Sequence, residues 1–101
     1  MNNNYYFLLA SPTYSGLSTM AAQIVDAAKK TYDGNVMNEV ALNQMIDTLK
    51  ASAEELKRQN PRWRVPRIEL VKTAYSDNVH ICIDKWSFIG YKVKDIVGYV
   101  G

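Results

Sequence analysis

Apolar residues recur at three- and four-residue steps from Leu17 to Leu56, and alternate with polar ones in two later runs, Ile68, Leu70 and Ala74 and then Val79, Ile81 and Ile83. A helix returns a side chain to one face every 3.6 residues and a strand every two, so no single regular element suits both stretches. The chain is therefore constrained to an α+β arrangement in which helices come early and most of the sheet comes late. In the helical part, Leu17, Met20, Ala21, Ile24, Val25, Ala28 and Tyr32 make one stripe, and Leu42, Met45, Ile46, Leu49, Ala53 and Leu56 make a second. Ser15 is read as the cap of the first helix, with Asp33-Gly34 as its stop after Lys29 and Lys30. Asn38, followed by Glu39, caps the second, and Asn60-Pro61 ends it, because a residue ahead of proline is disfavoured in the α region. The link between them is short, which predicts antiparallel neighbours with Leu42, Ile46 and Leu49 buried against Leu17, Ile24 and Ala28.

Strands account for the rest. Tyr5 to Ala10 is a short apolar run closed by Ser11-Pro12, and reads as a strand buried on much of both faces. Ile68 to Ile83 reads as a hairpin turning at Ser76-Asp77-Asn78. From Trp86 to Val100 the chain is rich in aromatic and β-branched residues and predicts one or two further strands, although Trp86, Ile89, Val93, Ile96 and Val100 also fit a helical stripe. The expected order is β-α-α-β-β-(β-β), with two antiparallel helices on one face of a mostly antiparallel sheet of roughly three to five strands. At 101 residues the whole chain, 1–101, is expected to be one domain.

Cysteine and charge narrow the setting. Cys82 is the lone cysteine, so an intramolecular disulfide is excluded and a reducing compartment is the simplest assignment. No Lys or Arg precedes the first apolar run, and that run is too short for a signal peptide. No stretch approaches the roughly 20 apolar residues of a membrane span, so the expectation is a cytoplasmic protein with no membrane partner. The net charge of +2 conceals an asymmetry. Residues 1–56 carry three Lys against six acids, whereas residues 57–101 carry nine Lys and Arg against four. All four arginines fall between positions 58 and 67.

Each candidate site competes with a plainer explanation. Ser11, Thr13, Ser15 and Gly16 lie between a strand and a helix, where hydroxyls and free N–H groups can hold a phosphate. The segment Leu9 to Thr19 is loosely similar to the phosphate loop after the first strand of flavodoxin-like proteins, which would imply a phosphate ligand. It lacks the glycine-rich pattern and lysine of a nucleotide-binding loop, and two successive helices do not build the alternating βαβ sheet that such loops serve. Capping and turn formation explain the same residues. His80 and Cys82 share a strand face, but two residues of rise put them ~7 Å apart, and Asp84 is ~13 Å from His80, so neither a dyad nor a triad forms on that strand. A zinc site would need three or four Cys or His ligands, and the acids show no metal-loop spacing. No cofactor is expected.

The basic segment is the strongest candidate. Arg58, Arg62, Arg64, Arg67 and Lys72 surround Trp63, and arginine forks suit carboxylates or phosphates. If Pro61 to Pro66 is extended, Arg62 and Arg64 share one face and the Trp63 indole takes the other, towards the core. These residues point to a small non-enzymatic binding protein, an inhibitor or adaptor, whose partner is another protein with an acidic surface, and which could itself be a homodimer. The alternative is a nucleic-acid-binding protein using the 57–72 segment, and third is a phosphate-ligand protein or enzyme using the 11–19 loop.

Overall fold

In the computed structural model, described over residues 4–7, 16–72 and 77–93, two helices and five strands run β1 Asn4–Phe7, α1 Thr19–Tyr32, β2 Val36–Asn38, α2 Glu39–Gln59, β3 Ile68–Lys72, β4 Val79–Ile83 and β5 Trp86–Val93. Side-chain caps set where both helices begin. Ser18, not Ser15, starts α1: its hydroxyl accepts from the Ala21 N–H at 3.3 Å, so Gly16 and Leu17 stay outside the helix. Ser15 lies outside the described residues. Asn38 starts α2 as expected, its Oδ1 accepting from the Ala41 N–H at 2.8 Å, with Glu39 in the first turn facing the positive helix end. Asn38→Ala should cost about 1 kcal/mol in a urea melt, the usual worth of such a cap, and a loss under about 0.3 kcal/mol would show the cap to be idle.

The sheet is antiparallel throughout, in the order β2-β1-β5-β4-β3. β2 is a strand that the periodicity does not announce, because three residues are too few to display alternation. It forms because Gly34, at φ +79°, turns the chain back after α1, and the Gly34 N–H donates to the Phe7 carbonyl at 2.7 Å. The Phe7 N–H in turn donates to the Asn35 carbonyl, laying residues 35–38 alongside β1. The expected hairpin exists as β3 paired with β4; of its proposed turn, Asp77 and Asn78 are described and Ser76 is not. The ambiguous stretch after Trp86 is strand through Val93, and residues 94–101 lie outside the described part. β1 alternates exposed and buried positions, so it is one-faced and not doubly buried; Leu8 to Ala10 are outside the described residues.

One core joins both layers. Met20, Ala21, Ile24, Val25 and Ala28 from α1 and Leu42, Met45, Ile46, Leu49 and Ala53 from α2 meet Tyr5, Phe7, Met37, Ile68, Val79, Ile81, Ile83 and Phe88 from the sheet. Leu17 sits at the margin, partly buried. The helices cover only that face. On the other, strand pairing aligns Val36, Tyr6 and Tyr91 in one row and Val71, His80 and Ile89 in the next. No described helix is long and apolar enough to cross a membrane.

Candidate functional site

The basic segment is a turn followed by an extended arm. Pro61 holds the φ that the second position of a turn requires, and the Trp63 N–H closes that turn on the Asn60 carbonyl at 2.9 Å. The expected extension therefore begins only at Arg64, and the proposed alternation of Arg62 and Arg64 about Trp63 does not apply. The Trp63 ring is half-buried against the core margin. Its carbonyl accepts from the Lys57 ammonium at 2.8 Å, tying the turn to the last turn of α2.

Asp84 organises the arm. It is the first residue of the two-residue link between β4 and β5 and holds φ +52°, a left-handed value that Asp tolerates better than most residues. Its Oδ2 accepts from Arg64 Nη2 at 2.5 Å, and its Oδ1 accepts from the Arg67 N–H at 2.9 Å. The Asp84 N–H donates back to the Arg67 carbonyl, also at 2.9 Å. Burial alone would raise the carboxyl pKa and is the largest single influence. The Arg64 hydrogen bond, the Arg67 amide and the charges of both arginines together outweigh it and hold the group below the usual aspartate range. Asp84 was legible in the sequence only as a strand-end acid; nothing in local spacing ties it to Arg64, twenty residues away.

Apart from Trp63, the proposed partner-binding residues are five cations that divide into two groups. Arg58 is paired with Glu55 one turn back on α2, Arg64 with Asp84, and Lys72 with Glu39 at 3.2 Å. The guanidinium groups of Arg62 and Arg67 have no ion pair among the described residues, and both side chains are exposed. Beside them lie two depressions. One, of about 360 Å³, is lined by Gln59, Asn60, Pro61, Arg62 and Trp63. The other, of about 240 Å³, is lined by Lys50, Ala53, Glu54, Val65, Pro66 and Ile68. The turn thus lines a pocket that holds Arg62 and Trp63, and the arm lines a mainly apolar cleft through Val65 and Pro66.

The remaining candidates do not converge. Of the proposed phosphate loop, Ser11, Thr13 and Ser15 are outside the described residues; Gly16 is exposed at φ +83°. His80 and Cys82 lie on the uncovered sheet face, in successive cross-strand rows, and Asp84 is engaged by the arm. Burial pushes the Cys82 thiol up, and the charge of Glu69, directly opposite on β3, pushes it further. Among the described residues no group of three His, Cys, Asp or Glu could hold a metal ion. No protein family, characterised protein or solved structure matches the chain.

Proposed function

We propose that this chain is a non-catalytic protein-binding module, an inhibitor or adaptor acting in the cytoplasm, that takes hold of an acidic partner surface through Arg62 and Arg67. The carrying observation is the division of labour among the cations. Arg58, Arg64 and Lys72 are paired with carboxylates of the chain itself, whereas Arg62, in the turn, and Arg67, at the end of the arm, present exposed guanidinium groups that form no ion pair among the described residues, the Arg67 charge acting on Asp84 only at longer range. A guanidinium held on a fixed backbone loses less freedom on pairing with a carboxylate than one on a loose chain. The pocket beside Arg62 gives an acidic side chain somewhere to enter, with the Trp63 ring as its wall. Against catalysis stand the raised thiol of Cys82 and the engagement of Asp84.

Affinity capture from the native host tests this reading, using wild type and an Arg62→Ala/Arg67→Ala variant. A protein captured by wild type should be lost with the variant, whose melting temperature should stay within a degree or two because exposed charges add little stability. Retention by the variant refutes the assignment. So does a single-stranded oligonucleotide whose binding falls by orders of magnitude between about 50 and 200 mM salt, the mark of several phosphate contacts.

A further inference from the structure

The face of the sheet that the helices leave uncovered among the described residues has the anatomy of an interface. Antiparallel sheets that meet water on one side normally alternate apolar residues inside with polar ones outside. Here the middle outward positions of the central strands are Tyr6 on β1 and Tyr91 and Ile89 on β5, with His80 on β4, and the two tyrosines are directly opposed. Tyr6 is 38% exposed and Tyr91 45%, Val36 beside Tyr6 is 56% exposed, and Val71 beside His80 in the next row is 37% exposed. Beyond them along the strands lie mostly polar rows: Asn38 and Asn4 with Val93 at one end, Glu69 and Ser87 with Cys82 at the other. Among the outward strand positions Glu69 is the sole acid, and no Lys or Arg occurs. An aromatic centre, a polar rim and few charges are what distinguish the middle of a protein interface from ordinary surface.

We infer that this face binds a second copy of the same chain, sheet against sheet, about a two-fold axis near Tyr6 and Tyr91. The absence of cations disfavours a phosphate backbone as occupant, since nothing there would neutralise it. A second copy meets no like charge at the centre, because the same neutral face is presented from both sides. Two such faces pack in the aligned manner of a β-sandwich, with the tyrosines interleaved. Five strands at ~4.8 Å spacing and about five residues of height give roughly 400 Å² in projection. That is about half of the ~800 Å² per partner of a standard stable complex, so the dimer belongs to the weak, concentration-dependent class. The centre of this surface rests on Tyr6 and Tyr91 and not on Arg62 or Arg67, so the two assignments are tested by different substitutions.

Sedimentation equilibrium from about 1 to 500 µM decides it, spanning the range where a weak interface fills. The apparent mass should rise from 11.5 kDa towards twice that value. Tyr91→Glu and Tyr6→Lys should each remain monomeric with unchanged far-UV circular dichroism, because each puts like charges together across the axis. Mixed in equal amounts they should dimerise again, since acid now meets base. A wild type that stays at monomer mass throughout, or a dimer that survives both single substitutions, overturns the assignment. Quenching of tyrosine fluorescence by a single-stranded oligonucleotide, abolished by Tyr91→Glu, would likewise overturn it in favour of a base-stacking face.

Discussion

Gly90→Ala should cost about 3 kcal/mol, the upper end for forcing a methyl group into a packed core. Gly90 sits directly opposite Phe7, whose ring lies flat over it. A Cβ at position 90 would meet the Phe7 Cζ at 2.5 Å and both Cε atoms at 2.9 Å, closer than any carbon contact tolerates. The ring cannot swing away into water, because Phe7 is 0% exposed and enclosed by the core. For a domain of this size the loss corresponds to a melting temperature lower by roughly 15 °C. Chemical denaturation should show a lower midpoint at unchanged slope. Phe7→Leu, which shortens the obstructing group, should make Gly90→Ala cheaper in the double variant than in the wild-type background. Additive losses, or a Gly90→Ala loss under about half a kcal/mol, would show that the ring and glycine do not compete for the same space.

The second large effect is at Asp84. Asp84→Ala removes the partner of Arg64 and the acceptor for the Arg67 N–H, and leaves an alanine at φ +52°. A loss of about 2 to 3 kcal/mol is expected, in the range for hydrogen bonds to a charged group. Asp84→Asn keeps the turn and one acceptor and should lose less. The wild-type advantage over Asp84→Asn should depend on pH. The carboxyl pKa is depressed by folding, so its contribution is complete above the unfolded value of about 3.9 and fades as the pH falls from there through the lower folded value. Urea melts of both proteins at neutral and strongly acidic pH should show the gap closing on acidification. A gap that stays constant would mean that Asp84 acts through turn geometry alone.

What could be read in advance follows a physical pattern. Both helices and the β3–β4 pair were legible because each is long enough to display its period and is bounded by residues with a local preference, whereas Trp86 to Val100 fits a strand and a helical stripe alike and only its pairing with β1 and β4 makes it strand through Val93. Asn38 declared itself as a cap because capping is a three-residue affair. Ser18 was missed because the apolar stripe begins at Leu17 and so sets the cap ahead of it, whereas Gly16 and Leu17 stay outside the helix. β2 escaped because its existence depends on hydrogen bonds between Phe7 and residues 34 and 35, a contact that no local window contains. The arm was misjudged for a similar reason. Its arginines looked alike as a cluster, and only the distant Asp84 separates Arg64, whose guanidinium it pairs, from Arg62 and Arg67, whose guanidinium groups form no ion pair among the described residues. Tyr6 and Tyr91 were counted as aromatics, and their opposition across β1 and β5 is a matter of register.

The position of β1 in the sheet also bears on how the chain reaches its fold. β3, β4 and β5 follow one another and can pair as each is made, but Asn4–Phe7 must find Gly90–Val93 across more than eighty intervening residues. Contacts that distant in sequence form slowly, because the loop they close has lost its freedom before the pairing repays it. On the ribosome, β1 and β2 can associate while β5 has yet to emerge, leaving the second edge of β1 open with Phe7 uncovered. An unpaired edge beside a large aromatic is a template for misassociation. Newly made chain is thus most exposed to aggregation in the interval before its last described strand is released.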